Sequence, residues 1–263
     1  MFFPLIADMS TRVVQISDCH LFSDPAEELR GVQPHQAVLA ALQHVTEHEG
    51  DADYLVISGD LAHDEAKPTY QMLREMLGSW VPRCRLIPGN HDDRAFMHEI
   101  FSEIVPAEQE AVCFEEDLPG WRMIGLDTHV PGEVPGELSA AQWEWLAERL
   151  ADNQEQPTIL FMHHPPFSVA SPWLDGIALR EGEKFMDLVG SMSQVRVICC
   201  GHVHQEFQQQ GESALLLTTP SVAVQFRPQT ETAEIDTVPP GYRVFELHED
   251  GSFETQVVRL ASE

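Results

Sequence analysis

Basic side chains are scarce in this sequence. Its 263 residues include 15 lysines and arginines against 43 aspartates and glutamates, a formal net charge of -28. So acidic a surface repels nucleic-acid backbone and anionic lipid, which disfavours a nucleic-acid-binding or membrane-surface role. A small anionic substrate stays open, because bound cations dominate the field inside a metal site. Away from such a site, the excess acid reads as a device for solubility.

Other features are missing too. No segment is long and apolar enough to span a bilayer. The opening MFFPLIADMS is apolar but short, lacks a basic start and is interrupted by Pro4 and Asp8, so it makes a poor signal peptide. Met1 or Met9 can serve as the start. The five cysteines, Cys19, Cys84, Cys113, Cys199 and Cys200, are odd in number and form no CxxC pair. That argues against a disulfide framework and for buried thiols in a reducing compartment. The expected location is the cytoplasm. There is no internal repeat and no low-complexity linker.

What is present is an alternation of β-rich apolar runs and helical patterns, the signature of an α/β sheet protein. Strands are expected over Arg12–Ser17, Tyr54–Ser58, Arg83–Ile87, Ala111–Glu115, Arg122–Leu126, Thr158–Met162 and Val195–Cys200. Helices are expected over Pro34–His48, Thr69–Leu77, Ala95–Ile104, Ala140–Ala151 and Glu183–Gly190. Ser139 is placed as the N-cap of the fourth, with Trp143, Leu146 and Leu150 as its buried stripe. From Gln205 the pattern turns to short strands: Leu215–Thr218, Val222–Phe226, Arg243–Leu247 and Thr255–Arg259, with Asp250-Gly251 as a hairpin turn. Arg227–Pro240 is expected as a long loop or extended hairpin. The domain reading is an N-terminal extension over residues 1–11 and a single domain over 12–263, β-rich from about 205. The architecture expected is two sheets packed face to face with helices outside.

Strand after strand ends in residue types that bind metals. The endings are Ser17-Asp18-Cys19-His20, Gly59-Asp60, Gly89-Asn90-His91-Asp92, His163-His164-Pro165 and Gly201-His202-Val203-His204. In open α/β sheets, ligands gather outside the carboxyl ends of strands. A lone Asp or His there is usually a turn or capping residue, but five such endings in order point to a site. In an extended segment residues two apart point the same way. Asp18 and His20, and likewise His202 and His204, are therefore expected to face one side together. Gly59, Gly89 and Gly201 permit sharp turns between them. Two aspartates, one asparagine and four histidines form a mixed N/O set without thiolate. That set suits Fe, Mn, Co, Ni or Zn and not an all-oxygen Ca or Mg cage. It is too large for one tetrahedral zinc. It suits two ions about 3.5–4 Å apart, bridged by one carboxylate.

These blocks, D-x-H, G-D, G-N-H-D, H-H and G-H-x-H, resemble the calcineurin-like metallophosphoesterase superfamily. Similarity to its bacterial class III 3',5'-cyclic AMP phosphodiesterases runs along almost the whole chain: QISDCHLF at 15–22, SGDLAHD at 58–64, PGNHD at 88–92, GELSAAQWEWL at 136–146, WLDGIALR at 173–180, CCGHVHQE at 199–206 and TPSVAVQF at 219–226. The resemblance implies an α/β fold, a four-layer α/β/β/α sandwich of two mixed sheets flanked by helices. It implies that Asp18, His20 and His204 hold one ion, that Asn90, His163 and His202 hold the second, and that Asp60 bridges them. Fe and Mn lead the candidate metals. His91 would be the noncoordinating catalytic residue, and His20, Asp60, Asn90, His91 and His204 would meet the substrate. The implied reaction is hydrolysis of 3',5'-cyclic AMP to AMP by a hydroxide bridging the metals. His91 would act as general acid on the leaving O3' or as a hydrogen bond to phosphate oxygen. A different phosphodiester or phosphomonoester substrate, and a non-catalytic scaffold, are the competing readings.

Other residues are assigned more plainly. His164 is expected to be structural and bonded to backbone. His63 and Asp64 are read as supporting or surface groups, and His35, His44, His48, His98 and His248 as solvent-facing. Trp173, Leu174 and Asp175 either border the substrate or merely pack a loop. Arg180 either meets a phosphate or pairs with acids. Asp92 is a weak candidate for orienting His91. The expected partner is a small cyclic nucleotide, with a homodimer through the late β segment and Val222–Phe226 as a further possibility.

Overall fold

The computed structural model describes residues 10–106 and 110–260. Residues 1–9, most of the proposed N-terminal extension, lie outside these. Eleven strands form two sheets. The first runs β11 (Phe253–Arg259), β10 (Gly241–His248), β1 (Ser10–Ile16), β2 (Tyr54–Ser58), β3 (Cys84–Ile87). The second runs β4 (Phe114–Leu118), β5 (Trp121–Leu126), β6 (Thr158–Met162), β7 (Val195–Cys200), β9 (Leu215–Thr218), β8 (Phe207–Gln210). The first sheet is parallel from β1 to β3 and continues antiparallel through β10 and β11 on one side; the second is parallel from β5 to β9 with antiparallel β4 and β8 at its two edges.

Period-two alternation explains why the sheets stack. Val13, Val56, Phe161, Val197 and Phe245 face a dry layer between the sheets. Their neighbours Val14, Leu55 and Ile57 face outward onto α1 (Pro34–His48), α2 (Lys67–Leu77) and α3 (Arg94–Ile100). On the other side Leu160, Met162, Ile198 and Cys200 meet α4 (Ala140–Asp152) and α6 (Gly182–Gly190). Strands buried on both faces need helices on the outside. The result is the four-layer α/β/β/α sandwich with two mixed sheets.

Several expectations shift. The fourth strand lies at Phe114–Leu118 and not at Ala111–Glu115, because it pairs with β5 through the tight Pro119-Gly120 turn, Phe114 opposite Gly125 and Leu118 opposite Trp121. The apolar Val112 instead gives its N–H to Asp127. α3 ends at Ile100, four residues early. Ser139 does cap α4, its hydroxyl accepting from Gln142 N at 3.2 Å. The buried stripe, however, is Gln142, Leu146 and Leu150; Trp143 is only partly buried. Val222–Phe226 is not a strand. Its backbone is spent across the site, Val222 N–H donating to Ser17 O and Val224 O accepting from His204. Val222 to Gln225 are buried inside the chain, and of this segment Phe226 alone is partly exposed. Strand β8 went unseen in the sequence because its Phe-Gln-Gln-Gln edge has no apolar alternation. The short α5 (Pro172–Asp175) and a 3-10 turn over Gly78–Arg83 were not foreseen either. No helix among the described residues is long and apolar enough to cross a membrane.

Candidate metal centre

The parallel strands β1, β2, β3, β6 and β7 end on one rim, and the five expected endings meet there. Asp60 Oδ2 lies 3.4 Å from both His20 Nε2 and His163 Nε2. Asp18 Oδ1 is 3.3 Å from His204 Nε2, and His20 Nε2 is 3.0 Å from the same atom. Ligand atoms of Asp18, His20, Asp60 and His204 fall within 4.8 Å of one another, as do those of His163, His164 and His202. Asn90 and His91 line the same cavity of about 280 Å³. Asp18, His20, Asp60, His163, His202 and His204 are all buried.

The route to convergence differs from the extended alternation expected. Asp18 (φ 56°), His20 (φ 46°), Asp60 (φ 52°), His202 (φ 69°) and His204 (φ 51°) all adopt positive φ. Five non-glycine residues in the left-handed region mark backbone strain concentrated at one place, each costing about 1–3 kcal/mol. The close approach of the loops needs glycine as well. A Cβ on Gly89 would stand 2.2 Å from Asp60 Oδ1 and 2.4 Å from Asp60 N.

The donors are aimed and presented for cations. His163 Nδ1–H donates to the Ser58 carbonyl at 2.8 Å, and His204 Nδ1–H to the Val224 carbonyl at 2.8 Å, so each ring turns its Nε2 inward. Such outer bonds set the tautomer of a metal-binding imidazole. His163 Nε2, His202 Nε2 and Asn90 Oδ1 are buried without a hydrogen-bond partner. Unpartnered buried polar atoms that line one space suit a cation held there. Burial lowers His20 and His202 to about 3, so both stand as neutral rings. Burial alone would raise the Asp60 carboxyl, but His163 and His20 outweigh it and hold the group well below its usual range. Burial would likewise lower His163, yet Asp60 raises it to about 9. The carboxylates thus create a field that draws positive charge. The cluster fits two metal ions.

His91 is partly exposed, its backbone N–H bonded to Asp60 Oδ1 at 2.9 Å and its ring stacked on His63 at 4.4 Å. Asp92 does not orient it. Asp92 instead accepts from the N–H groups of Gly89, Leu61 and Ala62 and from Tyr70 Oη, clamping the Asp60 and Asn90 loops together. Burial, with Asp60 nearby, raises Asp92 to about 7. His164 is structural as expected: its Nδ1 meets Thr128 Oγ1 at 2.7 Å and its Nε2 meets the Val134 carbonyl at 2.9 Å. His63 is closer to the centre than expected, Nδ1 to Nδ1 at 3.1 Å from His20. Asp64 lies outside, bonded to Ser23 N and Thr69 Oγ1. Arg180 pairs with Glu133 and Glu137 and does not enter the cavity. Trp173 and Leu174 do border the cavity. Asp175 bonds Ser168 and Val169 N and packs the loop.

Sequence reasoning missed Asp127 and Arg94. Asp127 follows β5 as the other acidic endings follow their strands, a signal that was available. It is buried and holds Arg94 by two bonds of 2.6 and 2.8 Å, fixing the helix that starts just after the Asn90-His91 turn. Gln142 bonds both the N–H and the carbonyl of Asp127.

Residues 11–206 match the calcineurin-like phosphoesterase family. The chain belongs to that family. Among curated phosphoesterase relatives, a 3',5'-cyclic adenosine monophosphate phosphodiesterase CpdA from Escherichia coli (strain K12) is 36% identical over 258 residues, covering 98% of this chain and 93% of that protein. A CpdA from Vibrio vulnificus (strain CMCP6) is 34% identical over 258 residues, with the same shares of 98% and 93%. A crystal structure of a dimetal phosphatase from Danio rerio superposes with a TM-score of 0.68, covering 95% of this chain and 99% of that one at 16% identity. At that identity the likeness speaks for the phosphoesterase fold alone.

Proposed function

We propose that this chain hydrolyses 3',5'-cyclic AMP to AMP at a pair of transition-metal ions. The observation that carries this reading is the meeting of five strand endings around Asp60, with imidazole Nε2 atoms and an unpartnered Asn90 oxygen turned inward. The substrate comes from the cyclic AMP phosphodiesterases that are similar along almost the full chain.

Asp18, His20 and His204 would hold one ion, Asn90, His163 and His202 the other, and Asp60 would serve both. Fe and Mn are the preferred metals for this N/O set, with Co, Ni and Zn also suited. Bound ions bring the pKa of a coordinated water toward neutrality and offset the charge of the diester. The chain's own part is positioning and proton transfer. His20, Asp60, Asn90 and His204 surround the place where phosphate sits. His91, its backbone anchored to Asp60, gives a proton to the departing O3'. A cavity of about 280 Å³, near the lower end for small-molecule sites, suits one compact ligand. The buried thiols of Cys19, Cys84, Cys199 and Cys200 suit a reducing cytoplasm.

The deciding experiment compares kcat/KM of metal-reconstituted protein for cyclic AMP, cyclic GMP, a 2',3'-cyclic nucleotide and a linear diester, alongside elemental analysis. A higher value for the 2',3'-cyclic or linear substrate overturns the cyclic AMP reading. Active protein without transition metal overturns the metal reading.

A further inference from the structure

The proposed machinery does not use the outer half of the cavity. There Leu29, Val134, Trp173, Ile177 and Phe226 make an apolar wall, and Arg30 stands at its edge. The path outward from the metal ligands is continuous. The Phe226 ring lies 4.6 Å from the His204 ring, Trp173 meets Phe226 edge-on at 5.1 Å, and the Arg30 guanidinium stands over Phe226 at 5.8 Å. The Trp173 indole N–H donates to Thr230 Oγ1, tying this wall to the Arg227–Pro240 loop.

Arg30 is unusual in two respects. In a chain with 43 acidic residues it has no ion pair or hydrogen bond among the described residues, a state it shares with Arg196 on strand β7, whereas Arg12, Arg94 and Arg180 all meet carboxylates. It also occupies a position that disfavours arginine. Leu29 and Val32 exchange backbone hydrogen bonds of 2.8 and 3.0 Å around Arg30 (φ 51°) and Gly31 (φ 84°). A two-residue hairpin with positive φ at both central positions is the turn that selects Asn or Gly at the first of them. An arginine held there bears the steric strain of left-handed backbone, and its side chain is delivered to the cavity mouth. Strain kept at a ligand-facing position points to use.

We propose that Arg30, Phe226 and Trp173 form the nucleobase subsite, with Arg30 the residue that distinguishes a nucleotide from a phosphodiester without a base. This rests on the cyclic nucleotide reading above. A phosphate would need a polar cradle, and Arg30 is the single cation in this wall. A flat heteroaromatic ring gains from apolar contact and stacking, and its ring nitrogens accept from a planar guanidinium fork.

The test uses the full metal-loaded chain with Arg30→Asn, which keeps the turn and removes the cation. Its substrates are cyclic AMP and a ribose 3',5'-cyclic phosphate methylated at C1 in place of the base. Phe226→Leu, which keeps an apolar side chain but no ring, is measured beside it. We expect Arg30→Asn to melt at or above the parent temperature. Its KM for cyclic AMP rises about tenfold, the scale of one lost stacking or cation contact, with kcat within about twofold and the base-free substrate unaffected. Phe226→Leu gives the same split. An unchanged KM for cyclic AMP, or an equal loss on both substrates, overturns the subsite. If the parent protein turns over the base-free diester but not cyclic AMP, the proposed function fails separately. Calorimetric binding of AMP to parent and Arg30→Asn then decides the subsite: equal affinity overturns it.

Discussion

His20 Nδ1 lies 3.1 Å from His63 Nδ1, while His20 Nε2 faces Asp60 and His204. With a cation on Nε2, the His20 ring would carry its proton on Nδ1 and donate it outward to His63. In this chain an imidazole takes the outer position that a carboxylate or backbone carbonyl commonly fills. His63→Ala is expected to weaken metal retention about 10–100-fold, the usual effect of losing such an outer partner. Competition with a chelating dye reads this directly. Unchanged metal affinity would remove His63 from the support of His20.

Gly89 lies so close to Asp60 that no side chain fits between them. Gly89→Ala forces apart the two loops that carry Asp60 and Asn90. The expected result is a stability loss of about 1–3 kcal/mol from overpacking, with metal content falling below one ion per chain. Thermal denaturation and elemental analysis check both parts.

Asp92 accepts four donors, from Gly89, Leu61, Ala62 and Tyr70. Asp92→Asn turns one acceptor oxygen into an NH2 donor facing other donors. A loss of roughly 2–4 kcal/mol is expected, on the order of two unsatisfied buried groups. Tyr70→Phe removes the hydroxyl that also accepts from Asp93 N at 2.6 Å, and should cost less, about 1–2 kcal/mol. Urea unfolding of both variants ranks them, and the reverse order would mean the clamp is misassigned.

His91→Ala should keep both ions and lower kcat by about 10²–10⁴, the range for a lost general acid. Metal analysis and steady-state rates on cyclic AMP separate this from a ligand role. Loss of metal would make His91 a ligand, and undiminished turnover would exclude it from proton transfer.

The ligand types were readable because chemistry at a strand end is local. A glycine or a strand terminus, followed at once by Asp, Asn or His, carries its meaning within a few residues. The sheet-forming runs were equally local, and Tyr54–Ser58, Thr158–Met162 and Val195–Cys200 appear with the bounds read from the sequence. Failures came where pairing partners decide. β4 moved three residues toward Leu118 because the turn to β5 sets its register, and β8 exists only because β9 offers an edge. Val222–Phe226 looked like a strand from its composition, yet its backbone serves His204.

Composition, alternation and the order of the five endings thus determined the two-sheet sandwich and the kind of atoms at its rim. Tertiary structure decided how those atoms meet. The left-handed backbone at Asp18, Asp60 and His204, the carbonyls of Ser58 and Val224 behind the imidazoles, the Asp127–Arg94 brace and the placing of Arg30 over Phe226 all join residues far apart in the chain. Periodicity reports which face of an element is buried. It carries no information about which distant backbone group will stand behind a given ring, because that is set by packing between layers.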